Sequence, residues 1–363
     1  MKPKSKSWLG GLLVALSLLF LTIPAHSQGQ VSVLLETSPT ADQIGPDKTL
    51  TATTLRVVDE NGQPIPNAYL KLHLDAPSGN PFISTDFPIV EGTPLLDYEG
   101  ILPEGSLEFE YIYPIRGTYN FKVEAGQDAA TASFQDTMSL RLSENGNEVL
   151  NFIIFVIILL GLGLVAGFII GRGARAQRLA TTGVILLVIG LTGTSVGRVQ
   201  AHGGGDQADA EPFTESGSNG DLTTTLSMSP GMGQVGTLNT LTFKATDAQN
   251  ELVPDTTFDV TLWHIEDEKA VFATTLYAPS GETALTFQFF DGAEHEIRVA
   301  ANNAQGTAEL QRAVEVEGFD PPLPTKLKTT FYLALITLIG ILIGLRIQVV
   351  QGGKKQTLAP LGV

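Results

Sequence analysis

The stretch that most limits what this chain can fold into covers residues 148–201, which read as a membrane hairpin. Residues 149–171 form an apolar run with no charged side chain (VLNFIIFVIILLGLGLVAGFIIG). With a rise of about 1.5 Å per residue, a helix of that length crosses a hydrocarbon layer of roughly 30 Å. Residues 172–178 carry Arg172, Arg175 and Arg178 and no acid, and residues 179–197 form a second apolar run. Basic turns stay on the cytoplasmic side of a bilayer. The chain before the hairpin must therefore lie on the same side of the membrane as the chain after it.

The charge distribution fits that orientation. The chain has a net charge of −16, and all 38 carboxylates fall within residues 36–148 and 206–320. Lys2, Lys4, Lys6, Arg172, Arg175, Arg178, Arg346, Lys354 and Lys355 flank apolar segments instead. They put the acidic blocks outside the cytoplasm, against which only Arg198, Lys326 and Lys328 stand as exceptions. Strongly acidic blocks exclude nucleic acid as a partner, since phosphates require Lys and Arg. The absence of cysteine excludes disulfides, thiolate metal sites and cysteine nucleophiles.

In chain order, residues 1–27 read as a signal peptide: a basic start, an apolar middle over 8–23, then Ala25 and Ser27 at the −3 and −1 positions before Gln28. Retention as an uncleaved anchor is the alternative. Residues 28–147 alternate with a period of two, as in Leu107, Phe109, Tyr111 and Tyr113, or Tyr119, Phe121 and Val123. Turn-forming runs such as Asp59-Glu60-Asn61-Gly62-Gln63-Pro64 separate the strands, and residues 82–103, less regular, read as a long loop or an edge insertion. Residues 202–221, rich in Gly, Ser and acids, predict a flexible linker. Residues 222–317 form a second alternating block, residues 329–345 a third apolar span, and residues 346–363 a cytoplasmic tail. The expected fold is all-β: two tandem Ig-like β-sandwiches joined by transmembrane α-helices.

The two blocks repeat one another. Ser38-Pro39, Ile44-Gly45, Leu50-Thr51 and the turn 59–66 match Ser229-Pro230, Val235-Gly236, Leu241-Thr242 and 247–254. Tyr119–Val123 matches His295–Val299, and each half begins with an apolar segment and ends with one. Met228-Ser229-Pro230, Val235-Gly236, and the turn residues Asp59, Gly62, Pro64 and Ala68 resemble the YtkA/FixH-like family of extracytoplasmic Ig-like domains. The second block departs from that turn pattern at Asn250 and Leu252. The resemblance implies a setting near copper-handling or respiratory assembly systems and no catalytic residues.

No H-E-x-x-H or phosphate-binding glycine loop is present, so no enzymatic activity is expected. The primary expectation is a non-catalytic membrane-anchored binding, scaffolding or accessory protein without a cofactor. The alternative is a periplasmic copper-handling or metal-transport accessory protein. Its ligand candidates are Met228, Met232, His264 and His295, plus His202 if cleavage after Ala201 makes it N-terminal, since thioether and imidazole suit copper. The plainer reading makes these turn, core and strand residues. Gly163, Gly167, Gly171, Gly340 and Gly344 follow small-x3-small spacing, which lets helix backbones approach closely in a lipid bilayer, within the chain or with a membrane-protein partner or second copy.

Overall fold

The computed structural model describes residues 31–80, 84–127, 129, 132–144, 146–171, 211–318 and 323–356. The expected signal peptide, the basic turn 172–178, the span 179–197 and His202 lie outside them. The first half contains β1 (Ser32–Ser38), β2 (Leu50–Val58), β3 (Ala68–Asp75), β4 (Pro94–Leu102), β5 (Ser106–Ile112), β6 (Gly117–Gly126), β7 (Phe134–Leu142) and helix α1 (Gly146–Ile170). The second contains β8 (Phe213–Asn219), β9 (Leu222–Ser229), β10 (Gly233–Gln234), β11 (Leu238–Thr246), β12 (Thr256–His264), β13 (Lys269–Ala278), β14 (Glu282–Gln288), β15 (Glu294–Asn303), β16 (Gly306–Glu317) and helix α2 (Leu323–Gln356).

The first half places three strands in one sheet and four in the other, and the second half repeats this core with β8 and β10 added at the edges, giving four and five. β1-β2-β5 faces β7-β6-β3-β4, and β9-β11-β14 faces β13-β12-β15-β16. That is an Ig or fibronectin-type-III-like arrangement. The alternation expected from the sequence is the burial pattern observed, with Leu107, Phe109, Tyr111, Tyr119, Phe121 and Val123 all buried.

The turn after β2 shows how one sequence rule is met in two ways. The Asp59 carboxylate accepts the N–H groups of Asn61 and Gln63, both at 2.9 Å, and Asp247 accepts those of Gln249 and Glu251, also at 2.9 Å. Gly62 takes the left-handed conformation at φ 74°, and Asn250 takes it at φ 61°. Asn is among the few side chains that tolerate this region. The second block's departure from the glycine pattern therefore preserves the turn.

The expectation of two sandwiches in tandem is revised by the sheet order. β5 pairs antiparallel with β13, and β4 with β14, so two eight-stranded sheets run through both halves. Tyr111 of the first half packs edge-on against Phe272 and Phe287 of the second, at 6.2 and 6.1 Å between ring centroids. The core is continuous across the seam. Gln288, fully buried, donates to Thr93 Oγ1 and to the Pro94 carbonyl, each at 3.0 Å, and Thr274 donates to the Glu108 carbonyl at 2.9 Å. Two further expectations change. β4 occupies the end of the stretch 82–103 read as a long loop or edge insertion, and β8 lies within the linker expected over 202–221.

Helices α1 and α2 pack side by side and parallel. Gly163 lies against Thr337 and Gly340, Gly167 against Ile341, and Gly171 against Gln348. The five spaced glycines are thus engaged within one chain, and a partner using this stripe would have to displace a helix. Each helix is strongly apolar and leaves most of that surface exposed. Both are long and apolar enough to span a membrane, with most of their surface free for lipid. α2 extends past the expected 329–345 at both ends.

Candidate functional site

Three features gather side chains with chemical potential: a histidine corner at the helix-bearing end, a groove where the halves meet, and the methionines of the second half.

His264 ends β12 and His295 opens β15, directly opposite each other in the register. Their rings meet edge to face at 4.8 Å between centroids, and both side chains are buried. Backbone bonds set their tautomers. The Asp267 N–H donates to His264 Nδ1 at 3.0 Å, so the ring proton sits on Nε2, which points toward Asp291 Oδ2 at 3.4 Å. His295 Nδ1 donates to the Ala293 carbonyl at 3.1 Å, leaving Nε2 as its free lone pair. Burial pushes the His295 pKa down to about 4.

The first half explains why a histidine stands here. Tyr119 occupies the position of His295, and its hydroxyl donates to the Ile115 carbonyl at 2.6 Å and accepts the Ile115 N–H at 2.9 Å. This is the tyrosine corner of Ig-like domains. The Tyr113–Tyr119 ring pair, 4.8 Å apart, is replaced in the second half by Phe289–His295 at 5.1 Å. His295 thus fills a structural corner, with an imidazole N–H in place of a phenol. Around the corner stand Asp267, Asp291, Lys269 and, from the first half, Asp47. The Asp47 pKa is raised chiefly by burial, with the nearby Lys269 opposing.

The sequence-derived metal candidates do not converge. Met228 is fully buried on β9, in the sheet opposite the histidines, with Leu241 and Phe213 as strand neighbours. Met232 lines a separate hollow of about 290 Å³ with Phe213, Glu294 and Arg312. Among the described residues, no group of three or more His, Asp or Glu side chains could hold a metal ion. Of the four described candidates, only His264 and His295 come together.

Sequence reasoning missed the groove. Where β4 and β14 pair for three residues and then part, a concavity of about 530 Å³ opens, lined by His73, Asp97, Tyr98, Glu99, Tyr277 and Glu282 among others. His73 is held between Asp97 and Asp75, the latter at 2.9 Å, and Asp75 is paired with Lys122 at 2.6 Å. Charged residues of both signs line it, which suits a polar peptide surface better than a small apolar ligand. The signal was absent from the sequence because the groove exists only where the halves fuse.

No family model matches the chain, and no curated protein matches it. Solved structures with similar folds include the adhesin InvE of Yersinia pseudotuberculosis (11% identity, 80% of this chain and 61% of that one, TM-score 0.19). Others are a two-domain fibronectin type-III segment of chicken tenascin (10%, 78% and 97%, 0.17) and the D0-D1 domain of intimin (10%, 79% and 97%, 0.19). The chain spans less than two thirds of the length of the InvE structure. At these TM-scores the likenesses carry no argument. By its own topology the chain is an Ig-like β-sandwich protein with two apolar helices, which fits a membrane-associated binding or scaffolding protein.

Proposed function

We propose that this protein is a non-catalytic, membrane-anchored scaffold that presents one rigid double sandwich on the extracytoplasmic face, with its C-terminus in the cytoplasm. The observation that carries this reading is the double union of its halves. Their sheets fuse edge to edge, and their closing helices pack glycine to glycine. Such a body holds a fixed surface at a fixed height above a bilayer, and the seam groove is the surface proposed to receive a partner. The basic residues beyond the apolar segments support the orientation. Residues 1–27 as export signal, and the YtkA/FixH-like resemblance, agree with an extracytoplasmic accessory role beside other membrane proteins.

The chain lacks cysteine, so single thiols test this cleanly. In intact cells, Glu108→Cys on β5 should react with a membrane-impermeant maleimide, whereas Lys354→Cys should react only after permeabilisation. The reverse pattern, or equal labelling in intact cells, overturns the orientation. For the groove, Glu99→Lys with Glu282→Lys should abolish crosslinking from a photoreactive residue placed at Tyr277, while the sandwich still unfolds at its usual temperature. Unchanged crosslinking removes the groove as the partner surface.

A further inference from the structure

The seam between the halves closes at one end and opens at the other. β4 starts beside Asp75 at the helix-bearing end and runs away from the helices, and β14 runs against it. The two strands pair at Leu96–Phe287, Asp97–Thr286 and Tyr98–Leu285. Beyond that point each keeps only its outer neighbour: Glu99–Leu102 stays on β3, and Glu282–Ala284 stays on β11. The groove lies between these two stretches, so both of its walls are strands already fixed in the sheet. In an antiparallel ladder successive residues turn their N–H and C=O groups to opposite sides. Alternate residues of each wall therefore turn backbone groups into the groove. Gly100 stands in the middle of the β4 wall, where an added Cβ would meet the Tyr98 hydroxyl. A glycine inside a strand marks a place where another backbone can approach closely.

The rim is acidic on both walls. Asp97 and Glu99 rise from β4 and Glu282 from β14, against Lys71 and His73 from β3. Glu99 meets Lys71 at 3.7 Å and Glu282 meets Lys244 at 3.2 Å, with all four side chains well exposed. Ion pairs in contact with water contribute little and are readily exchanged. We propose, resting on the reading of the groove as the partner surface, that its occupant is an extended basic segment of another protein, entering between β4 and β14 as an added strand. Because β4 and β14 run antiparallel, the added strand lies antiparallel to one and parallel to the other, and its backbone groups meet those of both walls. At ~3.3 Å per residue, the open length from Glu99 to Leu102 takes about four residues. Lys or Arg at alternate positions stand over Glu99 and Glu282 on the outer side, and the intervening side chains turn inward to Leu72 and Tyr98.

The test uses the full chain in detergent micelles and a fluorescent synthetic peptide of alternating Lys and Val. Two control peptides accompany it: one with Glu in place of Lys, and one with the Val nitrogens methylated, which keeps the charge and removes half of the backbone donors. The basic peptide should bind with an affinity that falls as salt is raised, and both controls should bind at least about tenfold more weakly. On binding, hydrogen exchange should slow at amides within 99–102 and 282–284. Equal binding of either control, slowed exchange only elsewhere on the sandwich, or no binding at about millimolar basic peptide overturns the proposal. These arms alter only the peptide, so none depends on a variant that folds. Photocrosslinking in cells from position 277 asks instead whether the groove holds any partner. If it persists while the peptide arms fail, the groove stands and the added strand falls; if it is absent, both fall.

Discussion

Replacing Gly167 by alanine places a methyl group where the backbone of α2 already stands. An ideal Cβ there lies 2.8 Å from the Ile341 carbonyl carbon and nearer still to its oxygen, and one on Gly340 lies 2.5 Å from the Leu160 carbonyl oxygen. Ordinary contact needs 3.4–4 Å, so the helices must part by about 1 Å. A gap of that size forfeits a quarter to a half of each dispersion well along the interface, and forced overpacking costs about 1–3 kcal/mol. Gly161 supplies the control on the same helix, since a Cβ there meets nothing within 4 Å. Gly161→Ala gains helix propensity, at most about 1 kcal/mol, and loses no contact. Thermal unfolding of the full chain in detergent should therefore separate the variants, Gly167→Ala falling and Gly161→Ala holding or rising. Leucine at both positions should widen the difference. Equal midpoints for the two alanine variants would refute the glycine interface and return the stripe to the ordinary glycine content of membrane helices.

Acid should weaken the second half through His295. Its folded pKa, about 4, lies below the unfolded value of about 6.5, so between those pH values the unfolded chain binds a proton that the native one refuses. Stability is full above pH 6.5, falls as the pH drops toward 4 by at most about 3 kcal/mol, and levels below that; His295→Tyr should flatten this part of the profile in urea titrations. Tyr119→Phe removes a hydroxyl bonded both ways to Ile115 and should cost about 1–3 kcal/mol. Tyr111→Phe should cost nothing or stabilise, because its buried hydroxyl has no hydrogen-bond partner among the described residues; a larger loss at Tyr111 than at Tyr119 in chemical denaturation contradicts this assignment. Copper(II) at micromolar concentration should leave the His264 and His295 NMR signals in place, since His264 presents no lone pair and His295 only one buried one; saturable shifts at both would favour the copper reading.

What the sequence showed and what it hid divide along a physical line. Side-chain alternation is local, so Phe109, Tyr111, Phe121 and their neighbours announced strands and their buried faces. Repetition is also local in form, and it exposed the shared turns at Asp59 and Asp247 even where Asn250 replaced glycine. β8 was hidden because its residues, Thr, Glu, Ser, Gly and Asn among them, are those of a solvated linker. They form a strand because β9 offers them hydroxyl partners and an edge, and strand preference depends on that context more than on composition. β4 was hidden by its bounds of Pro94 and Pro103 and by Gly100 within it. Its buried neighbours Leu95 and Leu96 break strict alternation because the register against β3 slips there, Leu74 pairing with Leu96 and Asp75 with Pro94, which leaves Leu95 as an extra residue in the ladder.

The fusion of the halves left no mark in either repeat taken singly, since each seam strand looks like an edge strand until its partner is known. The symmetry of the repeat supplies the missing reason. β4 corresponds to β13 and β5 to β14, so the pairing of β4 with β14 and of β5 with β13 brings each edge type of one half against the other edge type of its copy. That is the self-complementary geometry of a twofold dimer. Two copies of one unit, each ending in a long apolar helix, satisfy it at the seam and again at Gly163 and Gly340, where the helices meet with like residues from each. Joined in one chain, the two contacts hold each other in register. Parting the helices at Gly167 should therefore loosen the β4–β14 and β5–β13 pairs above them. Faster hydrogen exchange at Phe287 and Phe272 in Gly167→Leu, with β9 unaffected, would show that the membrane and sandwich contacts act as one interface.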